Sequence, residues 1–83
     1  MHLEELINQN YANMNENDRH IWAYIHANRK ACEHVSIEAL AQNCNVSRTT
    51  ILRFTKRLGL KGYAEFKVML SMDNIKTNTQ EQG

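Results

Sequence analysis

Proline is absent from the 83 residues, and glycine occurs only three times. These are the strongest local breakers of regular structure, so nothing interrupts a helical reading before Gly59. Two cysteines, Cys32 and Cys44, are too few for the disulfide framework of a small secreted domain. Both are read as reduced thiols of a cytoplasmic protein. No apolar run approaches the roughly 20 residues of a membrane span. The N-terminus carries Glu4 and Glu5 where a signal peptide would be basic. There is no glycine-rich phosphate loop, no Ser/His/acid or Cys/His grouping on one cleft, and no strand signal or internal repeat. An enzyme is therefore not expected, and neither is a cofactor. The four histidines do not change this. Cys32, His34 and Cys44 lack the paired spacing of a structural zinc site, so no metal is expected.

What remains is a helical composition with one charged segment. Hydrophobic residues make up 42%, enough for a single core, and charged residues 23%, which argues against disorder throughout. The net charge of +1 hides an asymmetry. Residues 1–46 set Arg19, Arg29 and Lys30 against Glu4, Glu5, Glu16, Asp18, Glu33 and Glu38. Residues 47–67 set Arg48, Arg53, Lys56, Arg57, Lys61 and Lys67 against Glu65 alone. Positive charge gathered in one short segment is the footprint of an anion-binding element, with nucleic acid as the leading candidate.

The apolar spacing predicts five helices. Leu3, Leu6, Ile7 and Tyr11 form the inner face of the first, over about residues 2–12. Asn15 and Asp18 look like a variant capping box for the second, which buries Ile21, Tyr24 and Ile25 and ends near Arg29 to Cys32. Ser36 caps the third, Ile37 to Asn43, with Leu40 and Ala41 inward. Asn45 takes a left-handed backbone conformation in the turn that follows. Ser47 caps the fourth, which ends at Gly59, a glycine where the chain needs positive φ. The fifth runs from about Tyr63 to Met72. Residues 74–83 hold one apolar residue, Ile75, and are read as a polar tail or linker following a domain of residues 1–73.

Residues 37–58 thus have the layout of a helix-turn-helix, whose second helix enters the DNA major groove. Ala41 is small where the helices approach, Asn45 supplies the turn, and Val46, Ile51 and Phe54 plug the angle between them. At about 100° per residue, Ser47, Ile51, Phe54 and Leu58 share the core side of the fourth helix. Arg48, Thr49, Leu52, Arg53 and Lys56 face the other way, with Arg57 at the edge. Arg binds guanine bidentately, Thr touches either kind of edge, and Lys neutralises phosphate. Arg48, Thr49 and Arg53 are the expected base readers. Lys56, Arg57 and Lys61 are the expected phosphate holders. Ser36, Ser47 and Thr50, near helix N-termini, complete the candidate DNA-binding set. Leu52 either meets a thymine methyl or packs on a neighbour. Tyr63 and Phe66 fit core packing better than base stacking, and Trp22 is either an interface anchor or partly buried.

The run Val46-Ser-Arg-Thr-Thr-Ile-Leu-Arg-Phe-Thr-Lys-Arg-Leu-Gly-Leu-Lys-Gly-Tyr-Ala-Glu-Phe-Lys resembles the N-terminal domain of RpiR-type (MurR/RpiR) bacterial regulators. Upstream, Met14-Asn-Glu-Asn-Asp-Arg-His-Ile-Trp-Ala-Tyr-Ile and Ser36-Ile-x-x-Leu-Ala are similar to the same family. The resemblance covers about residues 3–72. Trp22 departs from the family's usual alanine, and Arg29 from a frequent proline. The resemblance implies control of sugar-metabolism genes. It also implies a C-terminal sugar-phosphate-sensing domain of the sugar isomerase fold, absent here, with any effector site outside these residues.

The reading is an all-α, five-helix bundle with a homeodomain-like or winged-helix-like tri-helical core and no strands. Its function is sequence-specific binding of double-stranded DNA. A homodimer is expected in the full-length protein, with weak dimerisation of this domain through helix one or the Trp22 surface, and no membrane partner. The alternative is a protein-interaction module whose basic face docks an acidic partner. Binding to RNA or single strands lacks exposed aromatic stacking platforms.

Overall fold

A computed structural model describes residues 2–82, with side chains described from His2 to Ile75. Among the described residues there are six α-helices and no strand. They are α1 (Leu3–Asn10), α2 (Glu16–Ala27), α3 (Arg29–Cys32), α4 (Ile37–Cys44), α5 (Arg48–Arg57) and α6 (Tyr63–Gln82), with a 3-10 turn at Tyr11–Asn13 after α1. The all-α class stands, but the helix count is six rather than five.

The extra helix comes from a break at Asn28. Its backbone leaves the helical region at φ −131° and ψ 42°. Its side chain donates to Tyr24 O at 2.9 Å, and its own carbonyl accepts from Cys32 N–H at 3.0 Å. Asn28 thus closes α2 with its side-chain amide, the competition with backbone that makes asparagine a poor interior helix residue, and starts α3 with its backbone carbonyl. The second helix therefore ends at Ala27, before the predicted Arg29 to Cys32.

The predicted capping box is present. Asn15 Oδ1 accepts from Asp18 N–H at 2.8 Å, and an Asp18 carboxylate oxygen accepts from Asn15 N–H at 3.2 Å. The core runs through every helix, from Leu3 and Ile7 through Ile21, Ile25, Leu40, Ile51 and Phe54 to Phe66 and Leu70, all buried. Helices α2, α4 and α5 pack on one another as the tri-helical centre. Phe54 meets Phe66 edge-on at 5.6 Å, which joins α6 to that centre. Tyr63 stacks on Phe66 and donates its hydroxyl to Val35 O at 2.9 Å, tying α6 to the loop that enters α4. The pair is core, as its spacing suggests.

Both cysteines are free and buried in this core. Burial pushes the Cys32 thiol up. Burial, then the neighbouring Cys32, pushes Cys44 up to about 11. Thiols raised in this way stay protonated and inert at neutral pH.

The last helix overruns its predicted end at Met72 and continues to Gln82. Asp73 reads as the last residue of the domain and Asn74 as the first of the polar tail, yet both are buried. Asp73 accepts from Leu3 N–H at 2.8 Å and from His2 Nδ1 at 3.2 Å. It is an N-cap delivered to α1 from the far end of the chain, with the negative charge where the α1 dipole favours it. Asn74 accepts from Arg29 Nε at 3.1 Å and donates to Glu33. The fold therefore reaches at least Asn74, one residue past the predicted boundary. The side chains of 76–83 lie outside the described residues, and the linker reading of that stretch rests on sequence.

Candidate nucleic-acid interface

The interface is built on two helices that start and stop by the same chemistry. Ser36 Oγ accepts from Ala39 N–H at 3.1 Å, and Ser47 Oγ accepts from Thr50 N–H at 3.1 Å. Each satisfies an orphan donor of a first helical turn. At the other end of α4, Asn45 sits at φ 59°, ψ 42°, the left-handed region. Its N–H donates to Gln42 O at 3.1 Å, and Val46 N–H reaches back to Ala41 O at 2.9 Å. Gly59, at φ 87°, repeats the pattern after α5. Its N–H donates to Lys56 O at 2.9 Å, and Leu60 N–H to Thr55 O at 3.2 Å. Both are Schellman closures, one on asparagine and one on glycine, and both were expected from the sequence. They fix the angle at which the chain enters and leaves α5.

Helix α5 divides sharply. Ile51, Phe54 and Leu58 are buried, as the spacing predicts. Ser47 is exposed and acts as a cap rather than a core residue. Thr55 is fully buried, and the sequence reading passed over it. Its hydroxyl donates to Leu52 O at 2.8 Å, so it enters the core with its polarity satisfied. The signal was its place four residues after Ile51 and three before Leu58.

On the outer side, Arg48, Thr49, Arg53 and Lys56 are all exposed. Leu52 is half-buried beside them, so part of it packs on the domain. Thr50 is half-buried, its hydroxyl 2.8 Å from Ser47 Oγ. Arg48 faces Glu38 of α4 at 3.4 Å, but both side chains are more than 60% exposed. Such a pair is screened and leaves Arg48 able to turn to another anion. Lys61 lies exposed on the turn after α5, its backbone N–H donating to Glu65 at 2.9 Å. Among the described residues, no acidic side chain pairs with Arg53 or Lys56.

Arg57 is placed differently from the other predicted phosphate holders. Its Nε donates to the carboxylate of Asp18, which is 1% exposed at the start of α2. Its Nε is thereby tied to α2, while the side chain as a whole stays 35% exposed. Trp22, a candidate interface anchor, is half-buried, with Arg29 over its ring at 5.8 Å.

No three His, Cys, Asp or Glu side chains gather as a metal site among the described residues. Nor is any described helix long and apolar enough to cross a membrane.

Comparison with known proteins agrees with this geometry. The chain matches the helix-turn-helix domain of the rpiR family over residues 1–77. It is 50% identical over 74 residues to the HTH-type transcriptional regulator GlvR of Bacillus subtilis, covering 89% of this chain and 29% of that protein. It is 35% identical over 69 residues to the HTH-type transcriptional regulator HexR of Pseudomonas aeruginosa, covering 83% and 24%. An uncharacterised regulator of Escherichia coli, YfhH, is 29% identical over 65 residues, covering 78% and 23%. The chain thus spans less than a third of the length of these relatives. No solved structure matches it.

Proposed function

The chain belongs to the rpiR family of helix-turn-helix domains, and from that premise we propose that it binds double-stranded DNA sequence-specifically, with α5 in the major groove. One observation carries the reading. The outward face of α5 presents Thr49, Arg53 and Lys56 side by side, while its inward face is dry core. Any surface helix is divided in this way; what favours binding is that the outer face is cationic, with no described acid paired to Arg53 or Lys56, on the second helix of a helix-turn-helix.

In this reading Arg48, Thr49 and Arg53 meet base edges. Lys56 and Lys61 hold phosphates, and the Ser36 and Ser47 caps present helix N-termini to the backbone. Thr50 supports the Ser47 cap, and Leu52 offers its exposed part to a thymine methyl. Arg57 leaves the phosphate set, because Asp18 holds it. The domain acts as the DNA-binding part of a longer cytoplasmic regulator and performs no catalysis. That regulator works as a homodimer on inverted half-sites. The regulation of sugar-metabolism genes and a sugar-phosphate effector are proposed on the family resemblance, with the effector site outside these residues.

The test is selection from a randomised duplex pool at stated salt, with Arg53→Ala alongside. A motif should emerge for the native chain. Arg53→Ala should relax it at one position, at a cost of about 1–3 kcal/mol, with stability within about 0.5 kcal/mol of the parent. Retention of DNA with no enriched motif would overturn the reading in favour of a module that docks acidic partners.

A further inference from the structure

The basic residues of α5 do not share one environment. Arg53 and Lys56 stand in water, and Arg48 faces a mostly exposed carboxylate. Arg57 alone among them is bonded to a buried acid. One carboxylate oxygen of Asp18, Oδ2, receives both Arg57 Nε from α5 and Asn15 N–H from its own capping box. Its backbone N–H is in turn held by Asn15 Oδ1 at 2.8 Å. The carboxylate is therefore fixed by the fold of α2, and it fixes the C-terminal end of α5.

We infer that Asp18 is a positioning residue for DNA recognition, which restrains Arg57 and keeps its charge off the phosphate backbone. This rests on the DNA-binding reading above. Two consequences follow from elementary electrostatics. The restraint sets how α5 sits on α2, and so how Thr49 and Arg53 approach base edges. It also neutralises one cation beside the binding face. Each phosphate that a basic side chain neutralises releases counterions and steepens the salt dependence of binding, whatever the sequence. A restrained Arg57 withholds one such contact. Non-specific affinity is lowered, and discrimination between sites is raised.

Asp18→Asn tests this with little change of shape: an amide oxygen in the place of Oδ2 can still accept from Asn15 N–H, while loss of the negative charge turns the ion pair with Arg57 into a weaker neutral contact. The measurement is the affinity for a random-sequence duplex and for the selected duplex, between 50 and 200 mM salt. Arg57, no longer held by an opposite charge and so able to turn to phosphate, should make the variant bind the random duplex more tightly at low salt. Its slope of log affinity against log salt should be steeper by about 0.9, an extra loss of about 3-fold across that range. The ratio of selected to random affinity should fall. Adding Arg57→Gln to Asp18→Asn should return the slope to that of the native chain. A merely structural role would weaken binding to both duplexes and leave the slope unchanged, and that result overturns the inference. So does a steeper slope that persists in the double variant, since the gain would then not come from Arg57. If the native chain shows no salt-dependent duplex binding at all, the DNA-binding reading falls and this inference falls with it. Circular dichroism of each variant confirms that the helices are retained.

Discussion

On the outer face of α5, Arg48, Arg53 and Lys56 stand in solvent, and the one acid beside them, Glu38, is itself mostly exposed. At the junction of α1, α3 and α6, Arg29, Glu33, Asp73 and Asn74 are drawn inward and satisfy one another. Arg29 is only 19% exposed and Asp73 only 10%. Both regions are rich in charge, but they use it in opposite ways. The junction closes its charges within the fold, where a lost partner strands a charge or donor away from water. The face of α5 keeps its cations available, where pairing contributes little to stability and an incoming anion meets few competitors. Charge that holds the fold together is thus separated from charge that is free to bind. Arg57 stands between the two kinds, because it lies on α5 and is 35% exposed, yet its Nε is bonded to a buried acid.

The sharpest way to break this comparison is Asp73→Ala. It removes the acceptor of Leu3 N–H and an acidic neighbour of Arg29 and His2. A loss of about 2 kcal/mol in urea unfolding is expected, the scale of leaving a buried backbone donor, here Leu3 N–H, without its charged acceptor. A loss under about 1 kcal/mol would mean that the junction is effectively solvated and no different from the face of α5.

Gly59→Ala gives an intermediate reference that touches neither region. A Cβ there meets nothing within 4 Å, so the cost is conformational alone, from holding alanine at φ 87°. About 1 kcal/mol is expected by the same unfolding measurement. An equal loss for Asp73→Ala would remove the case that the junction is special.

The contrast also marks what was legible in the sequence. The caps at Asn15, Ser36 and Ser47 and the closures at Asn45 and Gly59 were readable because each depends on partners within a few residues. The inner stripe of α5 was readable for the same reason, since helical spacing decides it. What escaped were the destinations of polar side chains. Arg57 reads as a phosphate ligand until Asp18, 39 residues away, is brought against it. Asp73 reads as the polar end of the domain and Asn74 as the start of a tail, yet one caps α1 across 70 residues and the other meets Arg29 across 45. Charge carries no mark of its partner, and a buried carboxylate looks like a solvated one until the fold is known. The break at Asn28 is local, but its direction depends on the same junction, which holds α3 through Arg29 and Glu33.

The smallest expected effect, and the most informative beside Asp18→Asn, is that of Glu38→Gln. Among the described residues, Glu38 and Asp18 are the two acids paired with arginines of α5. They differ in burial: the Glu38 side chain is 62% exposed and that of Asp18 is 1% exposed. If burial is what withholds an arginine from phosphate, then Arg48 is already available in the native chain and releasing it changes almost nothing. Glu38→Gln should therefore shift stability by less than about 0.5 kcal/mol. It should leave the salt slope of duplex binding unchanged, while Asp18→Asn steepens it by about 0.9. Equal steepening by both variants would show that any acid near α5 restrains its arginine, whatever its exposure. The division between charge closed into the fold and charge kept open for a ligand would then lose its physical basis on this helix.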